Sequence, residues 1–209
     1  MTAIDADTDT VGILAFEGFE ELDAFGPYEA FQQARTSGAD WTVELLATDE
    51  TDRVSAAYGL RVEPDGVLSA DANLDYLVVP GGGWNDGDGT AGARAVARDE
   101  AVLDALRTLH GDGTTVLSVC TGAMVLSAAG LLDGRPAVTH HETMGELRET
   151  DAEVVDARVV DDGDIVTAGG ITAGIDAALW LVEREWGEDL ATAVADAMEY
   201  ERSSDVVRR

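Results

Sequence analysis

The feature that most constrains this chain is the alternation of short, mainly apolar runs with longer segments of helical period. Val11–Phe16 (VGILAF), Trp41–Thr48 (WTVELLAT), Asp75–Pro80 (DYLVVP) and Thr114–Val119 (TTVLSV) have the length of strands and are dominated by apolar residues. Such runs belong in a sheet covered on both sides, and linkers of helical length make that sheet mainly parallel. The predicted fold is therefore one doubly wound, mainly parallel α/β domain with helices on both faces, flavodoxin-like in outline, over residues 11–201. An acidic tail is expected over 1–10 and a mobile C-terminal tail over 202–209.

Helices are expected at about 20–34, 91–110, 121–130 and 142–149, followed by the IDAALWLVEREW segment and a last helix to about Glu201. Gly26-Pro27 should break or kink the first of these, because proline removes an internal hydrogen bond. Residues 49–73 are mixed and predict one or two short strands. Another short strand is expected around Pro136–Thr139, and Asp162-Gly163 predicts a hairpin between two more.

Charge narrows the partners. The 209 residues carry 42 Asp plus Glu against 13 Lys plus Arg, a formal net charge of −29. Nucleic acid and anionic membrane surfaces are excluded as expected partners, since phosphate contact needs clustered cations. All the basic residues are arginine. With no lysine, neither a Schiff base nor a complete phosphate-binding P-loop can form. The lysine-free, acid-rich surface resembles that of cytoplasmic proteins from extreme halophiles, in which concentrated salt screens self-repulsion. One cysteine excludes an intrachain disulfide, the N-terminus lacks a signal-peptide pattern, and no apolar run is long enough to span a membrane. A soluble, cytoplasmic protein is expected.

In doubly wound sheets, sites form at the carboxyl ends of strands. That rule points to Phe16–Asp23, Pro80–Gly83, Cys120–Gly122 and Thr139–His141. Cys120 lies where a buried strand turns into a helix, the setting of a nucleophile elbow. The helix start would favour thiolate over thiol, although a cysteine there is equally at home as a small core hydrophobe. Among Glu20, Glu21 and Asp23, a carboxyl close to the sulfur would stay protonated and could donate a proton. Spacing does not say which of the three points inward.

Gly81-Gly82-Gly83 would leave backbone N–H groups free to line an anionic cavity, or would serve as a plain flexible turn. His140 and His141, adjacent at a strand end, should point to opposite faces, so that shared ligation of a metal is not expected. One of them could face the Cys120 pocket. His110 suits a helix C-terminus at the surface. Trp84 either covers the pocket or simply packs.

Four blocks occur in order: GILAFEGFEELDAFGPYEAF, LVVPGGG, SVCTGAMVLSAAGLLDGRPAVTHH and TAGGITAGIDAALWLVE. Together, from about residue 11 to 186, they resemble the ThiJ/PfpI family of the glutamine-amidotransferase-like superfamily. In detail they look most like isonitrile hydratases and the ligand-pocket domains of AraC-type regulators. The resemblance implies Cys120 as nucleophile, Asp23 as its acid partner and Thr121 as a residue that orients attack. It also implies an oxyanion-type pocket built from Gly81 and Gly82, with the Gly82 N–H as donor, and His140 as a pocket residue. It implies no cofactor, a small-molecule substrate and a homodimer.

The implied activity is addition of water to an isocyanide, giving an N-substituted formamide. Glyoxalase-like, deglycase-like or amidase chemistry on small carbonyl compounds is the alternative, as is a cysteine-based sensor. Thr121 replaces the histidine that follows the cysteine in PfpI-type peptidases, and Asp23 stands where deglycase-like proteins carry glutamate. His141 and the acidic loop 85–90 depart from the hydratase-like pattern and would alter the pocket wall.

Overall fold

The computed structural model describes residues 8–85 and 89–209. Its strands are β1 Asp9–Ala15, β2 Trp41–Ala47, β3 Val54–Ser55, β4 Arg61–Val62, β5 Gly66–Val67, β6 Tyr76–Val79, β7 Thr115–Val119, β8 Pro136–Ala137, β9 Glu153–Val154, β10 Val159–Asp161, β11 Ile165–Ala168 and β12 Val206–Arg208. The helices are α1 Glu21–Thr36, α2 Ala93–Val96, α3 Glu100–Gly111, α4 Gly122–Ala128, α5 Met144–Leu147, α6 Ala173–Trp186 and α7 Glu188–Ala197.

Eight strands form one sheet in the order β12-β10-β11-β7-β6-β1-β2-β5. Every neighbouring pair is parallel except β10 with β11. The central strands explain the apolar runs: all four residues of β6 and Val116–Val119 of β7 are buried, so neither face of the sheet meets water. Helices α1, α6 and α7 pack on one another, while α2, α3 and α4 form a second group against β6 and β7. The buried set Val102, Leu103, Leu106 and Leu109 gives α3 its one apolar stripe. Among the described residues no helix is long and apolar enough to cross a membrane.

Several local expectations change. Helix α1 runs unbroken through Pro27. That proline forfeits only the bond its own nitrogen would make, and it is buried beside α6, where a Cβ on Gly174 would lie 3.4 Å from its Cδ. The segment expected as one helix over 91–110 is two, because Asp99 caps α3 by accepting from Ala101 N at 3.0 Å. The IDAALWLVEREW segment and the last helix form as expected, as α6 and α7, separated at Gly187, whose φ of 92° ends α6. Residues 49–73 hold three short strands, and the strand near Pro136 is only β8, paired with β9 outside the main sheet. The hairpin around Asp162-Gly163 forms as expected.

The two tails are also redrawn. Strand β1 starts at Asp9, inside the expected acidic tail, whose residues 1–7 lie outside the described residues. The C-terminal segment is no mobile end: β12 pairs in parallel with β10 and closes one edge of the sheet. Its approach is pinned by Asp176, which accepts from Tyr200 Oη at 2.8 Å and from Ser203 N at 2.8 Å. Asp205 Oδ2 then accepts from Arg158 N at 2.9 Å.

Parallel direction is what assembles the site. The chain leaves β1, β6, β7 and β11 at the same edge of the sheet, which brings together residues 16–23, 80–84, 120–122 and 169–172.

Candidate active site

Cys120 follows β7 directly and has φ +56°, the left-handed region in which a side chain crowds its own backbone. The turn is held from outside. Cys120 N donates to Gly169 O at 2.8 Å and Ala168 O at 3.1 Å, and Thr139 Oγ1 donates to Cys120 O at 2.9 Å. Gly122 has no room for a side chain, since a Cβ there would sit 2.1 Å from the Val79 carbonyl oxygen. The elbow expected from the sequence is therefore present, with the backbone over-determined around a strained residue.

Of the three candidate acids, the fold selects Asp23. It lies on the first turn of α1 and is 0% exposed, whereas Glu20 and Glu21 are half-exposed. Asp23 Oδ2 accepts from Gly81 N at 2.9 Å, and the Cys120 sulfur is among the neighbours that act on the carboxyl. Its Oδ1 is buried with no hydrogen-bond partner among the described residues. An ionised carboxylate in that position would lack compensation, so burial pushes Asp23 up to about 8, partly offset by the Gly81 amide. The carboxyl is accordingly protonated at neutral pH. Glu21 is diverted elsewhere: its Oε1 accepts from Tyr58 N at 2.8 Å.

The glycine run does not do what the sequence suggested. Gly81 N–H is committed to Asp23, and Gly82 N–H donates to Thr121 Oγ1 at 3.1 Å, so the Gly82 amide is not a free donor for an anion. The glycines are required by proximity instead. A Cβ on Gly81 would lie 2.5 Å from both Thr121 N and Thr121 Oγ1, and one on Gly82 would lie 2.4 Å from Glu20 N. Gly81 and Gly82 thus join three sheet-edge segments at contact distance.

The donors that do face the sulfur are the backbone amides of Thr121 and Ile171 and the Thr121 side chain. They are outweighed. Burial first, and then the neighbouring Asp23, push the Cys120 thiol up to about 12. The expected standing thiolate is corrected to a thiol at rest. The sulfur and the carboxyl are neighbours that both hold their protons at neutral pH.

His140 lines the same cavity as Cys120, as do Gly82, Trp84, Thr121 and Ile171. Burial and the adjacent His141 lower its pKa, so the ring is neutral at physiological pH. The two histidines do not point apart. His140 precedes a single 3-10 turn, His141–Thr143, rather than ending a strand, so strand alternation does not apply. Their ring centroids are 4.3 Å apart, with the planes tilted at 47°. His110 ends α3, where His110 Nε2 lies 2.9 Å from Asp164 Oδ2.

Sequence reasoning missed Ile171 as a donor because a backbone amide carries no residue-type signal. It also missed the clamp around Trp84. The indole Nε1 donates to Glu146 Oε2 at 3.1 Å, Arg94 Nε donates to Trp84 O at 2.6 Å, and the Arg94 guanidinium lies 4.4 Å from the ring centroid. Residues 86–88 of the acidic loop lie outside the described residues.

Known proteins are similar to this chain. An isonitrile hydratase of Pseudomonas putida is 38% identical over 190 residues, covering 91% of this chain and 78% of its own length. The HTH-type transcriptional regulator CdhR of Pseudomonas aeruginosa is 31% identical over 185 residues, which cover 88% of this chain but 52% of the regulator. Among solved structures, a ThiJ/PfpI family protein of Pseudomonas syringae superposes with a TM-score of 0.81 at 28% identity, covering 94% of this chain and 76% of that one. Residues 9–184 match the DJ-1/PfpI family, and the chain belongs to it.

Proposed function

We propose that this protein is a cofactor-independent hydro-lyase of the isonitrile hydratase type, with Cys120 as nucleophile and Asp23 as proton donor. The observation that carries the reading is the Cys120–Asp23 pair itself: a fully buried carboxyl with a raised pKa, neighbouring the one thiol at a strained elbow. The similarity to the Pseudomonas putida isonitrile hydratase supplies the substrate class.

An isocyanide carbon is both a proton acceptor and an electrophile, which suits a neutral acid beside a neutral thiol. The sulfur of Cys120 bonds to that carbon while Asp23 delivers its proton to the same atom. The thiol proton replaces the one that Asp23 gave up, leaving a thioimidate, RN=CH–S, on the enzyme. Water then adds to the carbon, its second proton passing to nitrogen through Asp23. When the C–S bond breaks, the hydroxyl proton returns to sulfur and the N-substituted formamide leaves. Thr121 and Ile171 amides hold the charge that builds on sulfur during attack and departure. Thr121, tied through its hydroxyl to Gly82, orients that turn, and His140 forms a neutral polar wall.

The raised thiol weighs against the sensor alternative, because peroxide sensitivity follows thiolate character. The deciding assay is formamide release from cyclohexyl isocyanide in molar salt by wild type, Cys120→Ala and Asp23→Asn. Turnover is expected for wild type only. Wild-type release no faster than that of Cys120→Ala would refute the proposal.

A further inference from the structure

The cavity over Cys120 is small, about 160 Å³. A larger one, about 390 Å³, lies farther along α4, lined by Arg94, Ala97, Met124, Ser127 and Ala128. Cys120 and Thr121 at the head of α4 open on the first cavity, and Met124 and Ser127 one turn later open on the second. Among the described residues, Trp84 alone lines both.

The indole is not loosely packed between them. Its N–H is held by Glu146 at 3.1 Å and its face by the Arg94 guanidinium, which also donates to the Trp84 backbone carbonyl at 2.6 Å and pairs with Glu146 at 3.3 Å. Swinging the ring aside would break a hydrogen bond and a cation–π contact together. A side chain pinned at both its polar edge and its face makes a wall.

We propose that Trp84 sets the upper size limit of what reaches Cys120, and that the larger cavity is a tail subsite closed off by this one side chain. The proposal builds on the reading of Cys120 as the reacting group. Compact isocyanides such as the cyclohexyl compound fit the closed site. Isocyanides with polycyclic or long apolar tails need the space behind the indole, where Ala97, Met124 and Ala128 offer apolar contact and Arg94, Arg98, Asp133 and Asp151 supply the charged part of the lining.

Because Cys120 is the only cysteine, its alkylation reads access without any assumption about substrate. The experiment measures alkylation rates with N-(1-pyrenyl)maleimide and with iodoacetamide for wild type and Trp84→Ala. It then measures hydration of 1-adamantyl and cyclohexyl isocyanide by the same proteins. Should Trp84→Ala not fold, the double variant Arg94→Met, Glu146→Ala releases the ring without removing it.

The bulky-to-small alkylation ratio is expected to rise about tenfold or more in the opened protein, in line with what a few methylenes of pocket space are worth. A general change in thiol reactivity would move both reagents together and leave the ratio alone. An unchanged ratio overturns the gate, even if wild type hydrates cyclohexyl isocyanide. A raised ratio with no isocyanide turned over by any protein upholds the gate and refutes the hydratase reading. A raised ratio with new turnover of the adamantyl compound supports both.

Discussion

Asp23→Asn offers the sharpest test of the protonated-acid argument, because it preserves shape and the Gly81 hydrogen bond while removing the titrating group. In the unfolded chain the carboxyl titrates near its ordinary 3.8, and in the folded protein burial raises it to about 8. The folded state therefore binds more protons than the unfolded state between those values. Stability is greatest below the unfolded pKa, declines as pH rises through the window, and levels off above the folded pKa. At neutral pH about 3 pH units of the window have been crossed, which at ~1.4 kcal/mol per unit sets a ceiling of about 4 kcal/mol. Local relaxation and water entry lower the realised figure to about 2 kcal/mol. Asp9 is also raised, mainly by burial, but contributes equally to both proteins and cancels in the difference, whereas the charge on Glu20 is one of the causes that raise Asp23 and so belongs to the effect measured. Denaturant unfolding of wild type and Asp23→Asn at constant high salt, at steps from about pH 4 to about pH 8, gives the comparison. The variant should gain about 2 kcal/mol on wild type across that range while losing isocyanide hydration. Parallel pH profiles would refute the claim that the carboxyl is held neutral.

Three other outcomes are expected. Cys120→Gly should be more stable than Cys120→Ala by about 1 kcal/mol in denaturant melts, because the elbow's φ of +56° costs a side-chain-bearing residue and not glycine. Arg158→Met should cost about 3 kcal/mol by leaving the buried Asp176 without its cation. Amide exchange at Val206–Arg208 should accelerate in the same variant, since Tyr200 and Ser203 hang from that carboxylate. With a net charge of −29, thermal stability should climb steeply from dilute buffer to molar salt, and a salt-independent Tm would refute the role assigned to self-repulsion.

The comparison of chain and fold separates two kinds of information. Residue type and periodicity were enough for the parallel core, the hairpin at Asp162-Gly163 and the elbow at Cys120, because burial on both faces and a strand-to-helix turn leave marks in local composition. The same local marks misled at Pro27, where packing against α6 outweighs one lost hydrogen bond, and at the C-terminus, where Asp176, distant in sequence, captures residues that look like a free tail. Proximity across the sheet edge was out of reach altogether. That Asp23 and not Glu21 faces the sulfur depends on the rotation of α1 about its axis, and the glycine amides are spent on Asp23 and Thr121 because three strand ends meet there. The thiol's resting proton follows from the same cause: a helix start favours thiolate along the chain, but desolvation is a property of everything packed around it. What a linear chain determines is which segments must be buried; which groups then share one enclosed space is decided only when those segments pack.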